Sequence, residues 1–237
     1  MGFSPKQISY YLMKPLSLFL FIVFFYSQVF GQITFRHTFG GENHDHGRSV
    51  KQTFDGGYIV AGSTSSWGYG NSDVYVLKLD SLGMKQWSNV YGGTNVDWGY
   101  SVVQTPDSNY VICGYTNSFG LGGYDIYLIK VDALGNLLWQ KTLGGTDWDF
   151  AYSLQNTSDG GFVIAGETYS YGSGNNDVYL IKTNSFGDTL WTKTYGGSNK
   201  DYAKSVKQTF DGGYIIGGGT SSYGLGGNDL WIIKTSS

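Results

Sequence analysis

An eleven-residue phrase, SVKQTFDGGYI, runs from Ser49 to Ile59 and returns unchanged from Ser205 to Ile215, a separation of three times 52 residues. The same interval orders the rest of the chain. Gly-Gly pairs stand at 40–41, 92–93, 144–145 and 196–197, and Trp87, Trp139 and Trp191 follow the same spacing, with Phe35 in the fourth equivalent place. Asp73, Asp125, Asp177 and Asp229 keep step, as do Lys78, Lys130, Lys182 and Lys234. A period held without insertion means one supersecondary unit copied four times. Such units bury their apolar faces only against their neighbours.

Each copy reads as four short β segments divided by turn signals. In the first copy these are SVKQT, YIVAGST, VYVLKLD and KQWSNVY. The first turn is FDGG, PDSN, SDGG and FDGG in successive copies, and Asn109 is expected to take positive φ there. The turn after the third segment is DSLG, DALG or NSFG, with Asp or Asn first and Gly fourth, as a type I turn requires. The second and third segments are apolar on both faces, so each sheet lies between two others. The expectation is an all-β chain, a β-propeller of four four-stranded antiparallel blades. A β-solenoid is the runner-up, but two tight hairpins per 52 residues suit antiparallel blades better.

The last copy reaches only its third strand, LWIIKTSS, while ITFRHTFGG at 33–41 reads as a spare fourth strand. Pairing the two would close the last blade with the N-terminal strand, leaving no sheet edge open to aggregation. Two chains joined end to end into eight blades, or a shortened member of a longer family, are the alternatives.

DGGYIIGGGTSSYGLGGNDLWIIKTSS and DALGNLLWQKTLGG together resemble the repeat of secreted bacterial β-propeller proteins, with blades similar to quinoprotein-like and Kelch-like ones. The resemblance spans residues 33–237. It implies a secreted, periplasmic or cell-surface protein with a binding or scaffolding role, and that Trp87, Trp139 and Trp191 pack against the neighbouring blade.

Residues 1–31 have the basic, apolar and small-residue order of a secretory signal peptide, with Lys6 and Lys14 ahead of an apolar run and Gly31 at its end. A single propeller domain is expected over 32–237, with repeats starting near 35, 87, 139 and 191. Losing the leader's two lysines moves the net charge from −3 to −5. That balance argues against nucleic acid or an anionic membrane as partner, since both call for a basic patch. Cys113 is the sole cysteine, so no internal disulfide forms.

The longer connections, SSWGYGNS and GGTNVDWGY, fall on one rim, where binding is expected. Trp67, Phe119, Tyr171 and Tyr223 stand there, one per blade, as candidate ligand-binding aromatics; lids over their own blades are the alternative. Asp97, Asp147, Asp149 and Asp201 are the candidate calcium ligands, set against a reading in which they accept hydrogen bonds from their own loops. His44 and His46 flank Asp45, but their columns hold other bulky residues in the other copies, so a surface position is expected. Glu167 is a lone acid in its column; Lys78 and its equivalents are expected to pair with a neighbouring blade's carboxylate; Cys113 is read as a small buried residue. The function expected is non-catalytic binding of a glycan, peptide or protein at the long-loop rim, by a monomer or a ring-completing homodimer. No cofactor is expected apart from calcium. A hydrolase or lyase with an acidic site on that rim, or a purely structural module, stand as alternatives.

Overall fold

The computed structural model describes residues 34–236. Two compact units divide the chain, 1–36 and 37–237, and the signal peptide expected over 1–31 lies outside the described residues. Among the described residues no helix is long and apolar enough to cross a membrane.

Four antiparallel sheets follow one another in sequence. The first comprises β1 (Asp45–Gln52), β2 (Tyr58–Thr64), β3 (Asp73–Leu79) and β4 (Lys85–Tyr91). The second holds β5 (Asp97–Gln104), β6 (Tyr110–Thr116), β7 (Asp125–Val131) and β8 (Leu137–Leu143). The third holds β9 (Asp149–Asn156), β10 (Phe162–Thr168), β11 (Asp177–Thr183) and β12 (Thr189–Tyr195). The fourth holds β13 (Asp201–Gln208), β14 (Tyr214–Thr220) and β15 (Asp229–Thr235) only. Every sheet is a plain meander, as hairpin turns between consecutive strands demand.

Both faces of the middle strands are buried because each sheet stacks on the next. Ile59, Ala61, Val74 and Val76 of the first sheet pack on Val102, Ile112, Tyr127 and Ile129 of the second. The second sheet's other face, with Val111, Cys113, Ile126 and Leu128, meets Leu154, Ile164, Tyr179 and Ile181 of the third. The third meets the fourth in the same register through Val163, Ala165, Val178 and Leu180 against Val206, Tyr214 and Ile216. Trp87, Trp139 and Trp191 pack into these three junctions, and the Trp87 indole N–H donates to Ala133 O at 3.0 Å in the next sheet. These are stacked propeller-type blades.

Among the described residues the expected ring closure is not present. β15 pairs with β14 alone, and residues 34–44 carry no strand. The segment before β1 instead places Phe39 on the first blade, against Tyr75, Leu77 and Leu79, while Leu230 and Ile232 of β15 stay exposed.

Two local expectations are also corrected. Positive φ in the PDSN turn falls on Ser108 (64°), not Asn109, because Ser108 is the counterpart of Gly56 (80°), the residue whose N–H closes the turn onto Thr53 O. Lys78 pairs with Asp55 (2.8 Å) in its own blade rather than a neighbour's, and Lys130–Asp107, Lys182–Asp159 and Lys234–Asp211 repeat the arrangement. The turn before the second strand sets its aspartate beside the lysine of the adjacent third strand, a contact that linear spacing does not reveal.

Candidate functional site

The first strand of each blade starts earlier than its apolar pattern indicates, at Asp45, Asp97, Asp149 and Asp201. The early start comes from a β-bulge. In the β5–β6 ladder Gly99 pairs with Gly114 and Ser101 with Cys113, which leaves Tyr100 as the extra residue. Arg48, Tyr152 and Lys204 are the extra residues in the other three blades. A bulge bends its strand and re-aims a side chain. The opposite position is glycine in all four copies; at Gly114 a Cβ would lie 1.7 Å from Trp98 O. A glycine inside a strand is the readable mark of such a bulge, and it is the signal that strand patterning passed over.

The first strands touch one another in sequence order, β1 with β5, β5 with β9 and β9 with β13. The bulged residues and their neighbours two positions earlier therefore line one continuous inner wall. The Arg48 guanidinium sits 5.1 Å from the ring centroids of both Trp98 and Tyr100. Tyr100 meets Tyr152 edge-on at 5.1 Å, and Tyr115 meets Phe150 edge-on at 4.9 Å. The Lys204 ammonium lies 3.2 Å from the Tyr152 centroid and 4.9 Å from that of Tyr202. At the loop end Tyr124, Trp148 and Tyr169 extend the aromatic surface.

Glu167 is set into this wall. One of its oxygens accepts from the Tyr152 hydroxyl and the other from Asn176 Nδ2 at 2.6 Å. Burial, reinforced by the Glu167 charge, pushes the Tyr152 phenol up, so it stays a donor. Burial pushes the Lys204 ammonium down, and Glu167 acts in the opposite direction. Trp98 Nε1 and Asn176 Oδ1 are buried and have no hydrogen-bond partner among the described residues. The wall thus combines aromatic faces with two cations.

The sequence-selected aromatics stand elsewhere. Trp67, Phe119, Tyr171 and Tyr223 are each half-exposed and each tilted over a ring of its own blade, against Tyr75, Tyr127, Tyr179 and Trp231 at 5.3–5.7 Å. The Tyr171 and Tyr223 hydroxyls donate to Gly144 O and Gly196 O at 2.9 Å. The structure does not bring the four together.

Asp97, Asp149 and Asp201 are buried at the starts of their strands. Each Oδ2 accepts from a Gly-Gly amide, at Gly93, Gly145 or Gly197, and from a hydroxyl at Ser118, Ser170 or Ser222. Asp147 accepts from the Trp148 amide on the surface. The His44 and His46 rings stack 6.2 Å apart. Among the described residues no three His, Cys, Asp or Glu side chains come together as a metal-binding group. Cys113 is fully buried, and burial pushes its thiol up.

A second acid stands beside each capping aspartate. A Cβ on Gly92 would lie 2.1 Å from Asp73 Oδ1 and 2.6 Å from Asp97 Oδ2, so the two carboxylates close on a glycine Cα. That accounts for the first glycine of the pair; a Cβ on the second, Gly93, would lie 2.6 Å from Ser118 Cβ. Burial raises the Asp73 carboxyl, with the amides of Gly70 and Tyr69 working against the shift and the Asp97 charge adding to it.

No known family profile matches the chain. Over 138 residues it is 29% identical to the regulatory protein FlaEY of Caulobacter vibrioides, a match that takes in 52% of this chain and 14% of that protein. Two solved structures are similar in shape. One is a putative gluconolactonase (TM-score 0.46, 12% identity, 73% of this chain and 58% of that one). The other is a protein of unknown function from Dyadobacter fermentans (TM-score 0.46, 13% identity, 78% of this chain and 59% of that one). The chain spans less than two thirds of each of these proteins.

Proposed function

We propose that the chain is a secreted, non-catalytic binding module of propeller type whose inner wall takes a glycan. The observation that supports this reading is the bulge column, which sets Arg48, Tyr100, Tyr152 and Lys204 side by side on adjacent strands. Aromatic faces cover the apolar faces of sugar rings at low entropic cost. Arg48 and Lys204 select sugars that carry acidic groups, since each offers charge-assisted hydrogen bonds beside a stacking surface. Secretion and likeness to quinoprotein-like and Kelch-like blades belong to the same proposal.

The test is binding of acidic and neutral polysaccharides by calorimetry, with Arg48→Ala, Lys204→Ala and Trp148→Ala. These side chains lie at the surface, so folding is expected to persist. The expected result is at least about a tenfold loss of affinity, or 1.4 kcal/mol, with the melting temperature held. Unchanged affinity in all three variants would dismiss the wall as the site. A hydrolase or lyase would turn the polysaccharide over, and Glu167→Gln would stop it. Binding without turnover, kept in that variant, favours the non-catalytic reading.

A further inference from the structure

The three internal junctions define a docking surface whose two halves recur at the ends of the blade array, partly covered on the first blade by the Phe39 segment and open at Val50, Leu230 and Ile232. Val102, Leu154 and Val206 occupy one column, each at most 1% exposed in a junction; their counterpart Val50 is 61% exposed. Val74, Ile126 and Val178 form the opposing column, each again at most 1% exposed; their counterpart Leu230 is 83% exposed. Ile232 is 57% exposed, where Val76, Leu128 and Leu180 are wholly buried. The first blade therefore presents the receiving half of a junction, and the last blade presents the entering half.

The polar contacts repeat in the same way. The hydroxyls of Ser49, Ser101 and Ser153 accept from the amides of Val102, Leu154 and Val206 in the following blade. By the 52-residue register, Ser205 and the Val50 amide are the matching halves at the two ends.

A third feature concerns Phe39. Tyr91, Leu143 and Tyr195 end the fourth strands and pack on the following blade, Tyr91 in the core shared with Tyr127 and Ile129. Phe39 stands 52 residues before Tyr91 and packs on Tyr75, Leu77 and Leu79, the equivalent surface of the first blade. The segment around Phe39 is thus placed as the fourth strand of a preceding blade would be, and among the described residues β15 has no strand paired to its outer edge.

We propose that two copies of this chain join head to tail, the last blade of each stacking on the first blade of the other. The Phe39 segment of one copy then completes the β15 sheet of the other. Register follows from the ladders: Val74 pairs with Tyr91, Ile126 with Leu143 and Val178 with Tyr195, so Leu230 of one copy faces Phe39 of the second. A junction with two different halves builds either a closed ring or an open fibre. Four blades from each copy total eight, the upper end of the usual propeller range. Neighbouring sheets touch in sequence order.

The test joins Phe39→Cys and Leu230→Cys in one chain, since facing strand residues lie within disulfide reach and Cys113 is buried. Mild oxidation is followed by non-reducing electrophoresis, and solution mass is measured without oxidation. A cross-linked species of two chains, with the solution mass falling to that of one chain on Ile232→Asp, is the expected result. A cross-link within a single chain means that four blades close alone and overturns the proposal. So does the absence of any cross-link, or an open-ended series of masses. Ile232 is exposed in the isolated array, so its substitution is not expected to prevent folding.

Discussion

Replacing one residue at two places in the same column separates blade packing from everything else that a valine does. Val102→Ala removes two methyl groups from a site with no exposure. At about 0.8 kcal/mol each the transfer loss is about 1.6 kcal/mol, and an incompletely relaxed cavity brings the total to about 2–3 kcal/mol. Val50→Ala removes the same groups from a site that is 61% exposed. About two fifths of the transfer loss applies there, with no cavity, for a total near 0.6 kcal/mol. Both changes carry the same loss of β propensity, which cancels in the comparison. The expected gap is therefore about 1.5–2.5 kcal/mol, within reach of urea titrations at protein concentrations low enough to keep single chains apart. Equal losses at high dilution would mean that the first blade's face at Val50 is covered within one chain. Losses that differ in dilute protein and converge as concentration rises are what head-to-tail pairing predicts.

Ser108→Gly is expected to stabilise the chain by up to about 1 kcal/mol, since relief of a left-handed serine outweighs the added freedom of the unfolded chain; thermal melts check it. The Lys78 ammonium, hydrogen-bonded to Asp55, holds that carboxyl at about 2. The Thr157 hydroxyl, with Lys182, does the same for Asp159. Because these folded-state values lie below the ordinary 3.8, the stability they contribute is present above about pH 4 and lost as pH falls toward 2. Asp159→Asn is expected to flatten stability against pH in that window and to lower stability at pH 7, where the buried Lys182 loses its anion; a pH series of urea titrations reads both. Gly166→Ala, whose Cβ would lie 1.8 Å from Phe150 O, is expected to displace the bulge at Tyr152 and speed amide exchange along β9. Trp139→Ala, at the second junction, is expected to cost about 3–5 kcal/mol in urea titrations.

The 52-residue period, the turn residues and the doubly apolar second and third strands determined the blade, its four repeats and the stacking of sheets, because all three depend on spacing along the chain. The turn position held by Gly56, Gly160 and Gly212 determined where the left-handed residue falls, so it falls on Ser108 in the second copy. The tertiary structure alone decided the rest. A bulge is a mismatch between two strands, so the wall of Arg48, Tyr100, Tyr152 and Lys204 emerges only once ladders are paired; the glycine opposite is its single trace in the sequence. The Lys78–Asp55 pairing depends on how the first hairpin turn meets the end of the adjacent third strand. Whether the last blade finds a fourth strand in its own chain turns on how far the blades fan, an angle set by the summed packing of all three junctions and written in no one residue.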